Sequence, residues 1–133
     1  MKFFDDFVVG DKDRSRGRTI TETDIVLFAA FTGDWHPLHT NIEFAKKGPF
    51  GERIAHGFLS LSVASGLLPL SEMAIMAFYG MDKVRFIAPV KIGDTLQVEH
   101  EVVEKKEHDP ASGVVSFKQS IINQRQELSL IHI

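Results

Sequence analysis

Gly57-Phe-Leu-Ser-Leu-Ser-Val-Ala-Ser-Gly-Leu-Leu68 is the stretch whose reading decides the fold. At helical spacing it carries apolar or small residues on every side, and a helix without a polar face is a buried one. Pro69 kinks or ends it, and Ser71 to Phe78 reads as a further, looser helical piece. From Tyr79-Gly80 onward the period shifts toward that of strands. Lys83–Ala88 is one strand, stopped by Pro89. Thr95–Lys105 is a second, with Leu96, Val98 and Val102 on one face, and Val114–Asn123 is a third, with Val115, Phe117 and Ile121 aligned. Gly93-Asp94 and Asp109-Pro-Ala-Ser-Gly113 supply the turns between them. Leu128, Leu130 and His132 suggest a last strand, with hardly room for it before Ile133.

One buried helix ahead of a run of antiparallel strands is an α+β pattern in which the sheet wraps a single central helix. That is the hot-dog fold. A sheet of four or five strands has exposed edges, and pairing two protomers into one continuous sheet removes them, so a homodimer or a dimer-based assembly is expected.

Upstream of the buried helix, Phe3 to Val9 is an apolar cluster ending in a Gly10-Asp11 turn. The polar run from Asp11 to Ile20 suits a solvent-facing edge strand. Thr21-Glu-Thr-Asp24 has the capping-box form, with Thr21 as N-cap and Asp24 at the third helical position. A helix of about three turns follows and ends at Gly33. Asn41 to Lys47 is a short helix with Asn41 as its cap and Gly48-Pro49 as its stop. Phe50 to Arg53 is a loop.

The 133 residues fit one domain, 1–133, long enough to bury about two-thirds of the surface its unfolded form exposes. A hydrophobic fraction of 44% with 25% charged residues is that of an ordinary globular protein. A formal net charge of −3 offers no general attraction to nucleic acid or anionic lipid. The absence of cysteine excludes disulfides, thiolate nucleophiles and Cys-ligated metals. Two acids stand where a secretory signal needs an apolar run, and no stretch reaches membrane-spanning length, so the cytoplasm is the default compartment.

Between the first helix and the short one lies Phe31-Thr-Gly-Asp-Trp-His-Pro-Leu-His-Thr40, with a carboxylate and two imidazoles within six positions. Asp34 and His39 are the leading pair, because across a Pro-containing bend a carboxylate and an imidazole five residues apart face one small volume. Asp34 could instead cap the following turn, and Asp34, His36 and His39 together form a two-His, one-carboxylate metal set.

These residues resemble the MaoC-like dehydratases, which include the (R)-specific enoyl-CoA hydratases. The similarity runs from Thr19 to about Leu96. It is carried by Phe31–His39, by Ala55-His-Gly57 opening the central helix, and by Pro89-Val with Gly93-Asp-Thr95. The resemblance implies Asp34 and His39 as the catalytic pair, the Gly57 N–H as an oxyanion donor and Ser65 as a further site residue. No metal is expected, because nothing else near the bend completes a ligand set, and no cofactor beyond the coenzyme A thioester of the substrate. One position departs from the family motif Gly-Asp-x-Asn-Pro: His36 stands where that Asn usually is, and brings a titratable group beside the pair.

The expected reaction is hydration of a trans-2-enoyl-CoA, or dehydration of a (3R)-3-hydroxyacyl-CoA, with coenzyme A favoured over an acyl carrier protein. It requires a base for the water, a proton for the α-carbon and a donor for the enolate-like thioester oxygen. Asp34 is assigned the water's proton, and His39 the orientation of its oxygen and protonation of the α-carbon. Trp35, His36 and His56 are candidate substrate-binding residues, although His56 also suits a structural post at the helix entry. Ser65 also suits a hydrogen bond back to a carbonyl one turn earlier. Lys46, Lys47, Arg53, Lys83 and Arg85 are mostly solvated surface that could meet the phosphates of coenzyme A or phosphopantetheine. His100, His108 and His132 receive no function. A hot-dog thioesterase and a non-catalytic acyl-thioester-binding module are the competing readings.

Overall fold

A computed structural model describes residues 1–132, the side chain of His132 excepted; Ile133 lies outside the described residues. The chain folds as β1 (Lys12–Arg14), β2 (Arg18–Thr19), α1 (Glu22–Thr32), α2 (Pro37–Thr40), α3 (Ile42–Lys46), α4 (Gly57–Leu67), β3 (Val84–Phe86), β4 (Thr95–Asp109), β5 (Ser112–Ile122) and β6 (Leu128–His132). The strands form an antiparallel sheet in the order β1-β4-β5-β6-β3, with β2 also on β4. Because Lys12 pairs with Glu101 and Thr19 with Thr95, β1 and β2 are one charged edge strand interrupted at 15–17. That is the solvent-facing edge expected from its composition.

The sheet lays Leu96 and Val98 of β4, Ile121 of β5 and Leu130 of β6 against Leu59, Ala64 and Leu67 of α4, with Ile20, Ile25 and Val90 closing the core. This is the hot-dog arrangement of an antiparallel sheet around one helix. The capping box of α1 forms as read: the Asp24 N–H donates to Thr21 Oγ1 at 3.3 Å and the Thr21 N–H to Asp24 Oδ2 at 2.8 Å. Burial alone would raise the Asp24 carboxyl, but hydrogen bonds from Thr21 and Arg18 outweigh it and hold it below the usual carboxylate range.

Two expectations need correction. Ser71–Phe78 is not helical beyond a 3-10 turn at Leu70–Glu72; the backbone of Glu72 and Ala74 pairs instead with Lys2, and Met76, Phe78 and Tyr79 are left exposed. Nor is α4 buried all round. Phe58 is 70% exposed, and Ser62, Ser65 and Gly66 share the open side. A single sheet layer can cover only one side of a cylinder, so the apolar residues on the other side of α4 face outward in one chain.

Candidate active site

The turn between α1 and α2 sets the site. At Gly33 the backbone takes the left-handed conformation, φ +79°, and its N–H closes α1 on Ala29 O at 2.8 Å. The chain then leaves the helix axis, and Asp34 Oδ1 accepts the His36 N–H at 3.2 Å. The segment read as a Pro bend is one helical turn with Pro37 at its first position, where a missing N–H costs nothing. His39 belongs to that turn.

The His39 Nδ1–H donates to the Ile54 carbonyl at 2.7 Å, which leaves Nε2 as the free nitrogen with its lone pair available. Burial pushes the imidazole below its usual titration range. The neighbouring His56 and His36 act in the same direction, opposed by the Ile54 carbonyl and by Asp34.

His56 is 3% exposed and sits just ahead of Gly57. Its Nε2–H donates to the Asp34 carbonyl at 3.0 Å, while its ring stacks on that of His39 with centroids 3.9 Å apart and meets Phe28 edge-on. It therefore ties the turn carrying Asp34 to the start of α4. That is the structural post, and among the described residues its Nδ1 is buried without a partner.

The Asp34 carboxylate, a His39 ring nitrogen and a His56 ring nitrogen all lie within 4.8 Å of one another. The converging imidazole is thus His56 and not His36, which faces α3 with its ring 6.0 Å from Phe44. The triad does not suit a metal ion. Imidazole lone pairs lie in the ring planes, and two rings stacked at 3.9 Å and 29° cannot both aim at one ion about 2 Å from each nitrogen.

Asp34, His39, His56 and Gly57 line a cavity of about 410 Å³, together with Phe28, Phe31, Thr32, Phe58 and Ser62. Phe31 and Thr32 lie in the stretch singled out from the sequence but received no role there, and Phe28, Phe58 and Ser62 were not singled out, although the i, i+4 spacings of Phe28 with Thr32 and of Phe58 with Ser62 mark faces of α1 and α4. Gly57 is the first residue of α4, and among the described residues no acceptor meets its N–H. A Cβ there would stand 2.9 Å from the Phe86 ring, so glycine keeps this corner open.

Ser65 lies outside the cavity on the exposed side of α4, with its hydroxyl donating to the Ser62 carbonyl at 2.6 Å, the back-bonding alternative. Trp35 is half exposed and also outside the lining. Arg53 is committed to Glu22 at 2.8 Å and Lys46 to Glu43 at 3.4 Å.

A second and larger cavity, about 760 Å³, lies past the other end of α4, lined by Lys2, Asp13, Pro69, Glu72 and His100 among others. His100 is buried there, with Nδ1 unpartnered among the described residues and its ring edge-on to Phe117.

Residues 7–124 match the family model described as MaoC like domain. The chain is 43% identical over 98 residues to Protein MaoC of Klebsiella aerogenes, covering 73% of this chain and 29% of that protein. It is 38% identical over 102 residues to a 3-hydroxybutyryl-CoA dehydratase of Methylorubrum extorquens, covering 77% and 64%. The chain thus spans less than two-thirds of the length of these curated relatives. Among solved structures, a monoamine oxidase regulatory protein from Archaeoglobus superposes with a TM-score of 0.93 at 47% identity, covering 98% of this chain and 90% of that one. The unliganded R-hydratase of Pseudomonas aeruginosa superposes at 0.80 with 33% identity, covering 97% and 80%.

Proposed function

The chain belongs to the MaoC-like domain family, and from that premise we propose that it is a hydro-lyase that adds water to a trans-2-enoyl-CoA or removes it from a (3R)-3-hydroxyacyl-CoA. The observation that carries this reading is the convergence of the Asp34 carboxylate and a His39 ring nitrogen in a cavity that also contains the start of α4. The similarity to a 3-hydroxybutyryl-CoA dehydratase and to an R-hydratase supports the same class of chemistry.

Ionised Asp34 and neutral His39 both accept, so one water donates a hydrogen to each and turns an oxygen lone pair toward the β-carbon. The hydrogen bond from His39 Nδ1 supports reversing the division of labour expected from the sequence. With Nε2 unprotonated, His39 takes the proton as the C–O bond forms and returns it to the α-carbon on the same face, so one proton closes the balance. Asp34 holds the second hydrogen and offsets the transient imidazolium charge. The Gly57 N–H and the positive end of α4 receive the charge that develops on the thioester oxygen. This chemistry requires no cofactor beyond the thioester.

The apolar side of α4 and the extended 74–87 stretch fit a second copy of the chain, which would cover Phe58, Met76 and Tyr79; sedimentation of the purified protein at several concentrations reads this directly. The function is tested by following loss of enoyl absorbance across a panel of 2-enoyl-CoA chain lengths, with Asp34→Asn as control. Asp34-dependent hydration is the expected result. Release of free thiol with the enoyl absorbance retained would assign a thioesterase, and tight acyl-CoA binding without turnover would assign a binding module.

A further inference from the structure

The His36 ring does a job that its place beside the pair did not suggest. It stands at the N-cap of α2, where Nδ1 accepts the Leu38 N–H at 3.0 Å. A turn of four residues has almost no stability of its own, since nucleation fixes several residues before the hydrogen-bond ladder repays it. Besides this cap, α2 is closed by the His39 N–H on His36 O and the Asn41 N–H on Pro37 O, both at 2.9 Å, and by Thr40 Oγ1, which donates toward the carbonyls of Trp35 and His36 at 3.0 and 3.1 Å. Ile54 holds it from outside through its N–H on Leu38 O at 3.4 Å and its carbonyl on His39 Nδ1; of these bonds only the His36 cap is lost when that ring gains a proton. His39 rides on this turn.

We infer that His36 is a positioning residue: with Nδ1 unprotonated it caps the turn that presents His39 to the cavity, and a second proton on the ring releases that cap. The inference rests on the reading of His39 as the reacting imidazole. Its chemistry is simple. A protonated imidazole has N–H groups at both nitrogens and no lone pair, so Nδ1 and the Leu38 N–H become two donors facing each other. An asparagine at this position caps a helix through its side-chain oxygen without titrating. The substitution of His for the Asn of the motif therefore keeps the cap and adds a proton dependence to it. The groups around the ring are the Asp34 carboxylate, which holds the His36 backbone N–H, the His39 ring of α2 at 6.2 Å and the uncharged Phe44 ring of α3.

The test compares the wild type with His36→Asn and His36→Ala. In ¹⁵N-labelled protein the Leu38 amide resonance is followed against pH together with the His36 ring. It should move with the ring in the wild type and stay still in His36→Asn. In the hydration assay His36→Ala should lower kcat about fivefold with KM unchanged, the population loss set by one N-cap. His36→Asn should restore kcat and give an acid limb that falls with one proton where the wild type falls with two. A Leu38 amide indifferent to the His36 titration overturns the inference whatever the enzyme does, as does a His36→Asn variant as impaired as His36→Ala. A Leu38 amide that follows the ring in a protein without Asp34-dependent hydration keeps the cap and removes the hydratase reading.

Discussion

The two cavities sit at opposite ends of the same helix, and each contains a histidine whose titration is depressed first by burial: His39 at the N-terminal end of α4, His100 beyond its C-terminal end. The C-terminal cavity is the larger. Yet among the described residues His39 has one nitrogen fixed by the Ile54 carbonyl and the other free beside a carboxylate, whereas the His100 Nδ1 is buried with no partner. The polarity of the helix separates them further. Open N–H groups and the positive end of the dipole meet the smaller cavity, and an oxyanion would be repelled at the other end. Neither a depressed imidazole nor a large volume makes a site; convergence of groups with complementary roles does.

The sharpest way to break this contrast is a pair of carboxamide variants. Asp34→Asn should lower hydration by about 10²- to 10⁴-fold, while Asp13→Asn beside His100 should leave steady-state rates within about twofold. Equal losses in both would show that the contrast has been drawn at the wrong groups. Of the same order, His39→Gln removes the group that carries the proton and should cost about 10²- to 10⁴-fold in kcat, and His100→Gln should not slow turnover. Gly57→Ala tests the helix terminus. Its new methyl displaces the Phe86 ring and crowds the approach to the N–H, so a loss of about tenfold in kcat/KM is expected, with the urea midpoint little changed.

The smallest effect is one the two histidines share. Both are lowered from 6.5, so below about that pH the unfolded chain binds protons that the folded chain resists. Stability should therefore fall as pH drops from about 6.5 toward the depressed folded values and level off once both states are protonated. Urea midpoints measured between pH 7.5 and pH 4.5 read this, and His100→Gln should flatten the slope without touching activity.

Much of this was legible in the sequence because it is local. The box of Thr21 and Asp24, the left-handed Gly33, the Asn41 cap, the alternation of Leu96, Val98 and Val102 and the charged edge at Lys12–Arg14 all depend on neighbours a few positions away, so periodicity and capping chemistry find them. The family motif likewise named Asp34, His39 and Gly57, which do line one cavity. The departures came where distant segments decide. Ser71–Phe78 has helical spacing, but the backbone of Glu72 and Ala74 pairs with Lys2 at the far end of the chain, and α4 has apolar residues on a side that one sheet cannot reach.

The sequence by itself determined the fold class and which residue types could carry acid–base chemistry, since those follow from pattern and spacing, while its motifs carried a resemblance to the family whose model residues 7–124 match. Only the tertiary structure decided what each imidazole does. Ile54, fifteen residues beyond His39, selects its tautomer; Asp34, twenty-two residues before His56, engages the latter's other nitrogen; and His36 turns away from the cavity to cap a helix. A histidine's role is set by which of its two nitrogens is occupied, and the atoms that occupy them here are mostly supplied by segments that folding alone brings alongside.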